Sequence, residues 1–291
     1  MKRLVVTADD FGAAHEVNEA VEAAHRRGIL GAASLMVSAP AAADAVARAR
    51  RTPSLRVGLH LVLTEGRPVL PASAVRRLVD GSGSFRTDMA AVGAIIAFSR
   101  QARREIAAEI TAQFEAFRAT GLALDHCNAH KHFHLHPVIG QLMAEIGGRF
   151  GLRAARVPFE PRTRWAPEAL TTPLATLLRR RFRAAGLLVP DRVFGLRWSG
   201  QFTRDRLLGL MRNLPDGLTE IYLHPATGPF AGAAPGYRYR EEFEALTAPE
   251  IIEAARDPAL RLGGFSDFLC AEPALRPGAP PPAIPQRGVM S

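Results

Sequence analysis

Lysine is nearly missing from this 291-residue chain: only Lys2 and Lys131 occur among its 37 basic residues. The rest are arginine, a skew that points to codon composition rather than to chemistry. Cysteine is as scarce. Cys127 and Cys270 cannot build a disulfide framework or a thiolate zinc cage, and they suit a reducing compartment. Aromatic residues make up 7%. No recognition motif accompanies them, which argues against a nucleic-acid partner. No uncharged apolar run reaches the length of a membrane span; the best stretch, 29–47, contains Pro40 and Asp44. Lys2 and Arg3 resemble the basic start of a leader, but the short apolar run behind them ends at Thr7, Asp9 and Asp10. A soluble cytoplasmic protein is expected. A Walker loop, a Gly-x-Gly-x-x-Gly turn and a Gly-x-Ser-x-Gly elbow are all absent, which removes the commonest nucleotide-binding and serine-hydrolase readings.

What is there is ordinary globular material: 47% apolar and 22% charged residues. Short apolar runs at 3–8, 33–37, 55–63, 122–128, 153–157, 193–198, 218–223 and 262–268 read as strands. Helical patterns at 16–27, 41–51, 103–120, 137–150, 170–185, 204–213 and 249–256 alternate with them. Such alternation implies parallel strands joined by right-handed crossovers. Seven or eight units favour an irregular (β/α) barrel over an open sheet. The expected organisation is one barrel domain over 1–271, an irregular insertion near 64–100, and a disordered Pro/Gly-rich tail at 272–291. Nothing in the pattern specifies an oligomer.

The net charge is +9, and it is concentrated. Residues 174–206 hold eight arginines against Asp191 and Asp205. Within the segment, Leu174, Leu177, Leu178, Phe182 and Ala185 fall on one helical stripe beside Arg179, Arg180, Arg181 and Arg183. That pattern suits peripheral contact with the inner face of the cytoplasmic membrane or with an amphiphilic substrate. It equally suits a barrel helix packed on the core.

The chemistry-bearing residues gather at strand ends. Asp9 and Asp10 follow the first strand. His60 ends the third. His126, His130, His132, His134 and His136 surround the end of the fourth, and His224 ends the strand at 218–223. Parallel strands finish at one face of a barrel, where barrel enzymes hold their active sites. The five clustered histidines all stand at even positions, so on an extended segment they would share a face. Carboxylate plus imidazoles is the donor set of a catalytic divalent-metal site with one open position. A spare carboxylate and a further histidine would supply a general base and a general acid. His15 and His25 sit in a helical pattern and are expected to be exposed.

Four segments together, Thr7-Ala-Asp-Asp-Phe-Gly12, Gly58-Leu-His-Leu61, Asn128-Ala-His-Lys-His-Phe-His134 and Leu223-His-Pro225, resemble the YdjC-like carbohydrate deacetylases. The resemblance runs from residue 1 to about 270. It implies an irregular barrel similar to the polysaccharide deacetylases. It also implies hydrolysis of the N-acetyl group of amino sugars, and one divalent cation, Mg²⁺ or Zn²⁺. By the same resemblance Asp10, His60 and His130 are the metal ligands, Asp9 the base, His224 the acid, and Arg156 the residue that orients the base. The family cluster reads Asp-Ser-His-His-His, whereas Asn128 and Ala129 stand in its first two places here. A narrower likeness, through 128–137, 196–200 and 220–226, is to the HpnK subgroup associated with hopanoid biosynthesis. It implies an N-acetylglucosaminyl hopanoid substrate. A soluble chito-oligosaccharide deacetylase and a non-catalytic sugar- or metal-binding barrel are the alternatives.

Overall fold

The computed structural model describes residues 1–160 and 172–269. β1 (Lys2–Phe11) is its central strand. Leu4, Val5, Val6, Thr7 and Ala8 are all buried, as expected for a parallel strand covered on both faces. On one edge of β1, Lys2–Ala8 pair with the whole of β6 (Gly217–Leu223). The other edge is shared. β7 (Leu260–Leu262) takes its first residues, and β2 (Ala32–Leu35) takes it from Thr7 onward. β3 (Arg56–Leu61) and β4 (Cys127–Ala129) follow β2, and β5 (Arg192–Phe194) follows β6, all parallel. Single parallel bridges, Cys127 with Ala155 and Ala154 with Leu188, carry the pairing onward from β4, and Val193 N–H donates to Phe159 C=O at 3.0 Å. The sheet thus curls into an irregular (β/α) barrel.

The helices pack outside. α1 (His15–Arg27) buries Val17, Ala20, Val21 and Ala24, an i, i+3, i+4, i+7 stripe. α2 (Ala42–Arg51), α4 (Arg100–Ala119), α5 (Pro137–Arg149), α6 (Thr172–Ala184), α7 (Arg204–Arg212) and α9 (Pro249–Ala254) follow the anticipated pattern. In α6 the buried residues are Ala175, Leu178 and Phe182, so its stripe faces the core, while Leu174 and Leu177 stay outside.

Several expectations change. The stretch 64–100 is not irregular throughout: Met89–Phe98 forms α3, capped by the Asp88 side chain. Its residues are nearly all apolar, so it lacks the polar–apolar alternation by which an amphipathic helix is recognised. α8 (Tyr239–Thr247) was also not anticipated. The run at 153–157 makes only the two single bridges, and 262–268 is mostly a turn, Ser266–Phe268 being a 3₁₀ helix. The tail at 272–291, Cys270 and the first residues of the helix expected at 170–185 lie outside the described residues.

Alternate side chains of a strand point to opposite faces, which divides the buried residues into two sets. Leu4, Val6 and Ala8 pack outward against the helices in the main apolar cluster. Val5, Ala32, Ala154 and Leu218 point inward and are plugged by Phe265 and Phe268. Further along the strands the inward positions turn polar: Thr7, Asp9, Ser34, His60, Asn128, Arg156 and Glu220 are all buried. Burying charge costs free energy unless it is paired, so this polar end is where a site is built.

Candidate active site

The backbone delivers two consecutive carboxylates to one end of the barrel by breaking the strand's alternation. The register of β1 slips between Ala8 and Phe11, and Asp10 has φ +61°. Left-handed backbone at a non-glycine residue is uncommon and costs free energy. Gly12, at φ +99°, then turns the chain into α1. Asp9 and Asp10 consequently face different partners.

Asp9 meets a buried arginine. Arg156 Nη2 donates to Asp9 Oδ1 at 2.9 Å and Nη1 donates to Oδ2. The same guanidinium donates to Glu220 Oε1 from Nε at 3.0 Å and from Nη2 at 2.7 Å, and it lies over the Tyr222 ring. Burial alone would push the Asp9 carboxyl up. Arg156, helped by His60 and His224, overrides it and holds the group far below the usual carboxylate range.

Asp10 meets two imidazoles. Its Oδ1 is 3.2 Å from His60 Nε2 and 3.1 Å from His130 Nδ1, and the two ring nitrogens are 3.4 Å apart. Asp10, His60 and His130 thus offer ligand atoms all within 4.8 Å of one another. The tautomer of His60 follows from its neighbour. Asn128 Nδ2 donates to Asp9 Oδ1 at 3.1 Å and to Ser34 Oγ at 2.9 Å, so its Oδ1 must face His60 Nδ1, 2.7 Å away. His60 therefore carries a proton on Nδ1, which leaves Nε2 as the ring nitrogen that faces Asp10 and His130. Outer hydrogen bonds of this kind fix metal-ligating histidines. Burial opposes charge on His130, but Asp10 outweighs it and raises the imidazole. The donor set fits a divalent cation.

The remaining histidines separate. Lys131 and His132 are left-handed, at φ +50° and +55°, and His130–Leu135 coils into a 3₁₀ turn instead of extending. The even-numbered histidines therefore do not share a face. His132 Nε2 contacts Tyr222 Oη at 2.9 Å, His134 Nε2 donates to Arg156 C=O at 3.0 Å, and His136 Nε2 donates to Gly93 C=O at 3.1 Å. Burial, then Arg156, pushes His134 down to about 3, and the same causes lower His132. Both rings stay neutral. His126 lies deeper, its Nδ1 donating to Asp125 at 2.9 Å and its Nε2 3.0 Å from Ser34 Oγ. It fills the space a side chain at Gly58 would need: a Cβ there would lie 2.5 Å from the ring.

His224 follows β6 and stands between two aromatic rings, 5.8 Å from Tyr222 and 5.1 Å from Tyr237. Its Nδ1 is buried without a hydrogen-bond partner, 4.0 Å from Glu242 Oε2. Burial lowers its imidazole, partly offset by Asp10 and Asp9. Glu242 accepts backbone N–H groups from His224 and Phe202 at 2.5 and 2.9 Å, and its burial pushes it up to about 8. Ser34, Glu220, Tyr222 and Glu242 escaped the sequence reading. A two-residue spacing through 220, 222 and 224 is the signal that could have found two of them.

The family model for YdjC-like proteins matches residues 3–257. The chain belongs to the YdjC-like family. Among YdjC-like relatives it resembles a carbohydrate deacetylase of Geobacillus stearothermophilus, 31% identical over 269 residues, covering 91% of this chain and 97% of the relative. A carbohydrate deacetylase of Vibrio cholerae is 30% identical over 284 residues, covering 92% and 97%. A solved structure from Enterococcus faecalis, named as a candidate cellobiose-phosphate cleavage protein, superimposes with TM-score 0.74 at 24% identity, covering 92% of this chain and 99% of that one. It supports the fold. Within this YdjC-like chain the asparagine at 128 has a physical consequence. Asn128 donates to Asp9, where an aspartate would place a second carboxylate about as close as the 3.1 Å now spanned by that hydrogen bond.

Proposed function

We propose that this chain is a metal-dependent carbohydrate N-deacetylase, an amidohydrolase that removes the acetyl group from an N-acetylated amino sugar. The observation that carries the reading is the convergence of Asp10, His60 and His130 beside an arginine-held Asp9, with His224 close enough to feel both carboxylates. A cation-binding group with a carboxylate and an imidazole left over suits hydrolysis, whereas a purely binding site needs no spare carboxylate. Asp10, His60 and His130 would hold the cation, Zn²⁺ by ligand type or the Mg²⁺ that the family resemblance implies. When bound, it polarises the amide carbonyl and acidifies a water, which is what lets so weakly basic a carboxylate as Asp9 take a proton.

Arg156, Ser34 and Asn128 all contact Asp9, so its carboxylate cannot rotate away from the pocket. Asp9 accepts the water proton as the oxygen attacks the acetyl carbon. His224 gives a proton to the leaving nitrogen as the C–N bond breaks. The sum is amide plus water to acetate plus amine. Within this reading we assign the chain to the HpnK subgroup, with a cytoplasmic location and an N-acetylglucosaminyl hopanoid as substrate. The arginines of 174–206 would face the membrane that holds the lipid.

The test is acetate release from N-acetylglucosaminyl lipid and from diacetylchitobiose, each with and without chelator. Chelator-sensitive release from the lipid supports the full reading. Release from diacetylchitobiose alone would move the substrate to soluble chito-oligosaccharides. No release from either in the presence of metal would overturn the enzyme assignment. Accumulation of acetylated glycolipid in a deletion strain, read by mass spectrometry, is the cellular counterpart.

A further inference from the structure

None of the ten residues of α3 is polar. Val92, Gly93 and Ile96 face inward. Ala91, Ala94 and Phe98, spaced three and four apart, lie on one exposed face. Phe98 is 90% exposed, above every other large apolar side chain among the described residues. Fraying does not account for this. Asp88 accepts from Ala91 N–H at 2.9 Å at one end of α3. At the other, Arg103 donates from Nε to Ile96 C=O at 2.9 Å and from Nη2 to Ala97 C=O. The helix is fastened at both ends and still presents an aromatic ring to water.

Its position is equally specific. His136, at the end of the loop that delivers His130, donates to Gly93 C=O, and a Cβ on Gly93 would sit 3.3 Å from that ring. α6 packs near the same loop, with Arg181 Nη1 donating to Pro137 C=O at 3.4 Å, and exposes Leu174 and Leu177. Both helices therefore flank the segment that carries a site residue. The charge around them is mostly positive. Residues 86–104 hold four arginines against Asp88, and α6 holds four arginines and no acid.

We propose that α3 is a membrane-docking element: Phe98 and the alanine face enter the interfacial layer of an anionic phospholipid bilayer while the flanking arginines meet its headgroups. An apolar helical face rimmed by cations matches that surface in both of its layers. A second copy of the chain fits less well, because a two-fold contact through this face would set the same arginines against one another. The inference deepens the glycolipid reading above by bringing the loop that carries His130 to the bilayer. Its test involves no turnover, so the two can fail separately.

The experiment is flotation of the full chain with vesicles of phosphatidylcholine and phosphatidylglycerol, against vesicles of phosphatidylcholine alone, at low and high salt. Binding is expected to require the anionic lipid and to weaken with salt. Phe98→Ser should weaken it roughly tenfold while leaving the melting temperature unchanged. Arg100→Gln with Arg104→Gln should weaken it by roughly fivefold per arginine at low salt. Phe98→Trp should show a blue-shifted emission with anionic vesicles that a lipid-borne quencher reduces. Failure to float at low salt, or undiminished flotation of Phe98→Ser, would overturn the proposal. A wild-type dimer in sedimentation that Phe98→Ser dissociates, without vesicle binding, would give the face to a second copy instead.

Discussion

Arg156 closes on Asp9 with two parallel hydrogen bonds inside the barrel, and both side chains are buried. The same guanidinium holds Glu220, so one cation balances two buried carboxylates. Removing it leaves both uncompensated, a situation that typically costs about 3–5 kcal/mol. Arg156→Ala should therefore lower unfolding stability by that order in urea denaturation at pH 7. The sign with pH follows from the Asp9 shift. A carboxyl held down in the folded state contributes stability above its ordinary value of 3.8, lost as pH falls through the folded value. Without Arg156 the burial that pushes the Asp9 carboxyl up is unopposed, so protonation relieves the variant first, and the wild type's advantage should shrink as pH falls from 7. Equal stabilities at pH 7 would count against the pairing.

The Asp10, His60 and His130 group should bind one divalent cation. Each single alanine substitution is expected to remove it, measured by plasma mass spectrometry after dialysis against Zn²⁺ or Mg²⁺. The loaded wild type should also melt higher than the stripped protein. A ligand at a hundred times its Kd contributes about 2.7 kcal/mol of stability, and His130→Ala should show no such shift. A His130→Ala protein that retains a full equivalent of metal would sink the assignment.

These residues were readable in the sequence because each closes a short apolar strand, and parallel strands end at one face. That topological step brings Asp9, Asp10, His60, the histidine cluster and His224 to one end, but the choice of His130 within the cluster and the separate roles came from the family resemblance. The residues that tune them were harder. Glu220 and Tyr222 sit inside a strand whose composition looks like plain core, and only alternation puts them on the barrel's inward face. Glu242 comes from α8, 18 residues beyond His224. Sequence distance conceals that contact. The histidine cluster misled for a local reason: left-handed backbone at Lys131 and His132 coils a segment whose even spacing suggested extension. α3 was missed for the opposite reason, since a helix without a polar face has no periodic signal.

Asp9 and His224 should act after binding, not in it. Asp9→Asn and His224→Ala are expected to keep the metal and to lose turnover by about 10²–10⁴-fold, the usual contribution of a positioned acid or base. Because the leaving nitrogen must receive a proton and burial lowers the His224 imidazole, the wild-type kcat/KM should fall as pH rises through a value below the ordinary 6.5. His224→Ala should lack that limb. A His224→Ala enzyme with normal turnover would refute its role, and an Asp9→Asn protein without metal would move Asp9 among the ligands.

Glu242 offers a pH test that needs no substrate. Burial raises its carboxyl from an ordinary 4.5 to about 8, despite two backbone N–H donors that favour the ionised form. Between those values the folded protein holds a proton that the unfolded chain releases. Stability from this site is therefore fully present below about pH 4.5 and declines as pH rises toward 8, by about 1.4 kcal/mol per pH unit. Gln cannot titrate, and its amide can accept from only one of the two backbone groups, so Glu242→Gln should be less stable at pH 5 by about 1–3 kcal/mol. The gap should close, and then reverse, as pH approaches 8, because the wild type alone loses stability over that range. Urea unfolding of both proteins at pH 5, 6.5 and 8 reads the difference directly. A constant gap at all three values would mean that Glu242 is already ionised beside His224, in which case the two form an ordinary ion pair and not a proton-holding one.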